Sequence, residues 1–175
     1  PAAVAGLKTC GIRGFNLTMP NKNKIVELLD ELSPEAQLIG AVNTVLNDNG
    51  KLIGYNTDGY GFMQSVRDAG HDITGKNITV MGVGGASMAI CAQSALDGAA
   101  SVHIFARRTS RYWNRTQKFA ENLSAKTGCQ VCLFDNDDHT ALRDSIAQSY
   151  LLINATSVGM VPDIDDTIIK DTSLF

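Results

Sequence analysis

The chain has 175 residues, 44% hydrophobic and 19% charged, with a formal net charge of -3 at pH 7. That balance suits a globular protein and gives no electrostatic reason to expect nucleic acid as a partner. No stretch approaches the roughly 20 apolar residues that span a bilayer and nothing resembles a signal peptide, so the expected location is cytoplasmic, with no membrane partner.

In chain order, Gly14 to Met19 reads as a short strand, after which Pro20 restricts the backbone. Ile25, Val26, Leu28, Leu29 and Leu32 then fall on one apolar face and predict a helix. Ser33 and Pro34 restart helical structure as N-cap and first helical residue. Val42 to Leu46 and Leu52 to Asn56 flank Asp48-Asn49-Gly50, the pattern of a hairpin. A linking helix is expected from Tyr60 to Ala69. Beyond it, apolar runs at Ile78 to Met81, Val102 to Phe105, Gln130 to Phe134 and Leu151 to Asn154 alternate with helical stretches, which implies parallel strands with right-handed crossovers. The four cysteines, Cys10, Cys91, Cys129 and Cys132, read as reduced thiols, and neither they nor the three histidines have the spacing of a metal site.

The strongest local signal is Gly82-Val83-Gly84-Gly85-Ala86-Ser87, between the run Ile78 to Met81 and a helical pattern from Ala86 to Leu96. Strand, glycine bend and helix N-terminus together present backbone N–H groups to a diphosphate, and glycine lets the ligand approach. A second strand follows about 20 residues later and ends in Ala106-Arg107-Arg108-Thr109, where a dinucleotide-binding unit meets the adenosine ribose. Arginine there favours a 2′-phosphate where a carboxylate would favour a free hydroxyl, so NADP is the expected cofactor, with NAD use left open. The fold class expected is α/β: a small substrate-binding part, residues 1–58, followed by an incomplete Rossmann-like dinucleotide-binding domain with a parallel sheet, residues 59–175.

Three polar groups interrupt apolar element boundaries in the first part: Asn16, Thr18 and Lys22; Asn43 and Thr44; Asn56, Thr57 and Asp58. Brought to one cleft, they would offer a cation, a carboxylate and neutral donors to a polyhydroxylated substrate. A lysine and carboxylate pair suits reversible alcohol oxidation, because a proton must move at the reacting oxygen as hydride moves at carbon.

At these residues the sequence resembles the shikimate dehydrogenase family, including its quinate/shikimate dehydrogenase branch. The resemblance is carried by Asn16-Leu17-Thr18-Met19-Pro20-Asn21-Lys22, Gly40-Ala41-Val42-Asn43-Thr44, Gly54-Tyr55-Asn56-Thr57-Asp58-Gly59, Gly82 to Ser87, and Asn154-Ala155-Thr156-Ser157-Val158-Gly159-Met160. It implies Lys22 and Asp58 as catalytic pair and Thr18 and Asn43 as holders of ring hydroxyls. On the cofactor side it implies Gly82, Gly84, Gly85, Ala86, Ser87, Ala106, Arg107, Arg108 and Thr109, with Thr156 and Ser157 beside the nicotinamide. The reaction implied is NADP-linked reduction of 3-dehydroshikimate to shikimate, in the shikimate pathway of aromatic amino-acid biosynthesis, with quinate and 3-dehydroquinate as a second pair and a homodimer as an open assembly.

The sequence also departs from the family pattern. Ala106-Arg107-Arg108-Thr109 replaces the usual Asn-Arg-Thr, and Ser87 stands at the last glycine of the turn. Nothing before Gly14 matches the family's Ser-x-Ser motif for the substrate carboxylate, and its closing Gly-x-x-Met-Leu-x-x-Gln helix has no match before Phe175. The expectation is a fragment with weak or absent turnover on its own. Two other readings stand beside it: a non-catalytic NADP-binding module, and another Rossmann dehydrogenase such as a folate-linked enzyme, for which the polar set offers no pterin-stacking platform.

Overall fold

A computed structural model describes residues 1–175 as two sheets joined by a helix. The first sheet is mixed. Helix α1 (Ala2–Thr9) precedes β1 (Gly14–Asn16), α2 (Asn21–Lys24) and a 3-10 turn at Val26–Leu28, and then come β2 (Glu31–Leu32), α3 (Pro34–Ile39), β3 (Thr44–Asp48) and β4 (Lys51–Tyr55). The strand order is β1-β3-β4-β2, with β1 and β4 antiparallel to β3 and β2 parallel to β4. Asn49 and Gly50 both take positive φ, 51° and 92°, which is how a two-residue turn follows the right-handed twist of the hairpin.

One helix expected from the apolar periodicity is cut short. Helical structure ends at Leu28, Leu29 is extended at φ -106° and ψ 146°, and Glu31 and Leu32 form an edge strand. The apolar residues find burial against the sheet instead. Leu29 and Leu32 pack onto Gly54, where a Cβ would come within 2.5 Å of Leu29 Cδ1 and 3.0 Å of Leu32 Cδ2. The edge is anchored by Asp30, whose N–H donates to the Leu52 carbonyl at 2.9 Å and whose carboxylate accepts from the Leu52 N–H at 2.7 Å.

The second sheet is wholly parallel. After α4 (Asp58–Asp68) the chain runs β5 (Asn77–Met81), α5 (Gly85–Leu96), β6 (Ser101–Ala106), α6 (Trp113–Thr127), β7 (Gln130–Asp135), α7 (His139–Gln148) and β8 (Leu151–Asn154). The order β7-β6-β5-β8 reverses direction at β5, so the carboxyl end of β5 is the switch point where α/β folds bind ligands. The expected α/β architecture is present, and no helix of the chain is long and apolar enough to cross a membrane.

Two close approaches tie the halves together. Ile39 and Ala41 belong to the 22-residue apolar core that otherwise lies around the parallel sheet. Gly59, the second residue of α4, lies against α5 so tightly that a Cβ there would meet the Ala89 carbonyl oxygen at 2.3 Å. The helix that begins with Asp58 is thereby seated on the helix that begins at the glycine turn.

Candidate active site

Three backbone ties fix the polar groups of the first sheet. The Val42 N–H donates to the Lys22 carbonyl at 2.8 Å, the Asn43 N–H to the Tyr55 carbonyl at 3.0 Å, and the Leu17 N–H to the Asn43 carbonyl at 2.9 Å. Lys22 on α2, Asn43 before β3 and Asp58 at the start of α4 therefore converge. Lys22 Nζ donates to Asp58 Oδ2 at 2.6 Å, while Asn43 Nδ2 donates to Asp58 Oδ1 at 2.8 Å. Each carboxylate oxygen thus holds one donor, and the ammonium is held in one direction with its side chain only 19% exposed.

Behind this pair lies a support that the sequence did not single out by role. Asn43 Oδ1 accepts from the Thr57 N–H at 3.0 Å and from the Thr44 hydroxyl at 3.0 Å. Buried Asn56 accepts the Asp58 N–H at 3.2 Å and donates to the Ala41 carbonyl at 3.1 Å. The only local signal for such a role is a cluster of Asn, Thr and Asp at a helix start, where these side chains satisfy free backbone N–H groups.

Lys22 and Asp58 open onto a cavity of about 610 Å³ that Gly84, Gly85 and Ala86 also line. The rest of the wall includes Met19, within the Asn16 to Lys22 motif, and Phe62, Tyr112 and Arg115, which had no sequence signal. A second groove of about 750 Å³ runs along the carboxyl ends of the parallel strands and contains Gly82, Gly84, Ala106, Arg107, Thr109, Thr156 and Ser157. Val83, Gly84 and Tyr112 border both spaces. Thr18 is exposed and lines neither cavity, although its neighbour Met19 does; Asn43 faces Asp58 and lines neither. Ser87 is fully buried, its hydroxyl donating to the Gly82 carbonyl at 2.6 Å, and Arg108 lies outside the groove with its guanidinium 4.6 Å from the Trp113 ring centroid.

The turn fits a dinucleotide for two different reasons. Gly82 is required by the fold: its φ is 110°, and a Cβ would meet Thr156 Cγ2 at 2.9 Å. At Gly84 and Gly85 a Cβ would meet no protein atom within 4 Å, so the space they leave open belongs to the ligand side of the turn. The first N–H groups of α5 lack partners within the helix, and no side chain caps them. Asn136, in the wall of the groove, carries the one buried side-chain oxygen with no partner in the protein. Asn154 braces the other rim by accepting the Thr156 N–H at 3.0 Å and donating to the Val158 carbonyl at 3.1 Å.

Known proteins are similar to this chain in sequence and fold. The family model for the shikimate dehydrogenase substrate binding domain matches residues 1–45. The shikimate dehydrogenase (NADP(+)) of Listeria innocua serovar 6a is 47% identical over 171 residues, 98% of this chain and 58% of the relative. The quinate/shikimate dehydrogenase of Escherichia coli strain SMS-3-5 is 41% identical over 174 residues, 99% of this chain and 60% of the relative. Among solved structures, shikimate 5-dehydrogenase from Listeria monocytogenes in complex with shikimate and NAD superposes with a TM-score of 0.96 at 45% identity, over 99% of this chain and 60% of the other. This chain thus spans about 58 to 60% of the length of these relatives, and it belongs to the shikimate dehydrogenase family.

Proposed function

We propose that the protein is a reversible, NADP-linked oxidoreductase that interconverts 3-dehydroshikimate and shikimate, with quinate and 3-dehydroquinate as a second substrate pair. The observation that carries this reading is the single cavity lined both by Lys22 and Asp58 and by Gly84, Gly85 and Ala86. It supports a reaction in which a proton moves and the cofactor approaches within one space. The names of the Listeria and Escherichia coli relatives, and the shikimate and NAD of the Listeria monocytogenes structure, supply the substrate and cofactor class. The unpaired state of all four cysteines agrees with a cytoplasmic setting. In this reading residues 1–58 serve the substrate and residues 59–175 the cofactor.

Lys22 is the proton carrier. Its ammonium gives a proton to the carbonyl oxygen as that oxygen gains negative charge, and in the reverse direction the amine takes the hydroxyl proton; such catalysis contributes about 10²- to 10⁴-fold. Asp58 keeps the ammonium aimed and orients the substrate, Asn43 holds Asp58, and Thr18 and Asn43 are the groups for the ring hydroxyls. On the cofactor side Gly82, Gly84, Gly85, Ala86 and Ser87 shape the diphosphate turn. Ala106, Arg107 and Thr109 form the adenosine end, and Thr156 and Ser157 border the nicotinamide end. The nicotinamide, when bound, supplies or receives the hydride.

The test is initial-rate absorbance at the reduced-nicotinamide band for each pairing of NADP or NAD with shikimate or quinate, alongside Lys22→Ala. Turnover of shikimate with NADP, weak in the isolated chain, that collapses in Lys22→Ala is expected. NADPH binding with no turnover of any pair would leave a cofactor module in place of an enzyme.

A further inference from the structure

The loop between β6 and α6 carries three arginines within five residues, and each is held differently. Arg111 stacks on Tyr112 at 4.7 Å from the ring centroid and donates to the Tyr112 hydroxyl at 2.6 Å. Arg108 lies over Trp113, the first residue of α6, at 4.6 Å. The Arg107 side chain has neither aromatic, acidic nor hydrogen-bonding partner; it is exposed and lines the groove at the end of β6. Arg108, its direct neighbour in sequence, does not line the groove at all. No aspartate or glutamate lines the groove, so nothing in its wall repels or neutralises an anion near Arg107.

We propose that the two adjacent arginines do different work: Arg107 alone reads the ribose 2′-position, and Arg108 is withdrawn from the cofactor by Trp113, where it staples the loop to the start of α6. The inference rests on the dinucleotide reading of the groove. A guanidinium lying flat on an indole face is attracted by the ring quadrupole and must give up that contact to reach the groove. Arg107 pays no such cost, so a 2′-phosphate meets it first and can take its planar fork in two hydrogen bonds. Trp113, the only tryptophan of the chain, is thus a positioning residue for Arg108.

Calorimetric titration of NADP+ and NAD+ into wild type, Arg107→Ala and Arg108→Ala separates the roles, with Trp113 fluorescence recorded on the same samples. Arg107→Ala is expected to weaken NADP+ by about 10- to 100-fold, the loss of a charge-assisted pair, and to leave NAD+ within about threefold. Arg108→Ala is expected to keep the NADP+ to NAD+ ratio within about threefold while altering the Trp113 emission, because the stacked cation is gone. Loss of NADP+ preference in Arg108→Ala equal to that in Arg107→Ala, with NADP+ bound normally by wild type, would overturn the proposal and leave the dinucleotide reading standing. Binding of neither cofactor by wild type would overturn that reading, and the proposal with it.

Discussion

The two sheets are held together by different means. The parallel sheet sits in an apolar core of 22 buried residues, whereas the mixed sheet has a cluster of five, Ile25, Ala36, Val42, Val45 and Leu52. What the mixed sheet lacks in apolar burial it replaces with side-chain hydrogen bonds: Asn43 to Asp58, Asn56 to Ala41, Asn47 to the Ile12 carbonyl, Asp30 to Leu52. A half built from directional polar contacts aims side chains; a half built from close packing supplies the rigid floor. Substitutions in the first are expected to show in turnover, and substitutions in the second in stability.

The largest expected departure is Lys22→Ala, with kcat lowered about 10²- to 10⁴-fold and the urea midpoint moved little, measured by initial rates and by circular dichroism. Gly59→Val attacks the seam between the halves. A Cβ there runs into backbone at Ala89, so the substitution should cost about 3 kcal/mol of stability, and urea unfolding checks it. Gly84→Val sharpens the contrast from the other side, because its Cβ meets no protein atom: cofactor affinity should fall about tenfold with unchanged stability, as read by titration calorimetry. Equal losses of stability at Gly59 and Gly84 would erase the distinction between a glycine kept for packing and one kept for a ligand.

A smaller effect concerns pH. Burial holds His103 below its ordinary value; it lies edge-on to Phe134 and its Nδ1 bonds the Ser145 hydroxyl at 2.9 Å. The unfolded chain therefore takes up the proton first, and stability should be full above about pH 6.5 and fall as pH drops below it. His103→Gln should flatten that slope in urea titrations between pH 7.5 and about 5.5. Smallest of all is a difference among the thiols. Burial pushes Cys91 up to about 12 and Cys129 up to about 11, while Cys10 is exposed, so iodoacetamide should label Cys10 first, as followed by mass spectrometry.

The same contrast explains what could be read from sequence. Strands β5 to β8 are continuous apolar runs between helical stretches, a pattern with one physical solution, and Gly82 to Ser87 marks the switch point directly. The edge strand β2 was not legible. Leu28, Leu29 and Leu32 fit helical spacing, and only the pairing of β2 with β4 and the space over Gly54 favour extended chain. Lys22 and Asp58 are 36 residues apart, so no spacing rule joins them; their pairing was legible through family resemblance, and the structure gives the 2.6 Å contact. Ala106-Arg107-Arg108-Thr109 reads as two like cations in sequence, and Trp113 is what makes them unlike.

The central claim is that one cavity brings the proton carrier on α2 and the cofactor at the head of α5 to the same substrate. Its most direct test uses shikimate deuterated at the carbon that bears the oxidised hydroxyl, with NADP+ and a mass measurement of the products. The account predicts that the deuterium appears in the NADPH, transferred directly across the cavity. Oxidised product with the deuterium in water and none in NADPH would contradict it.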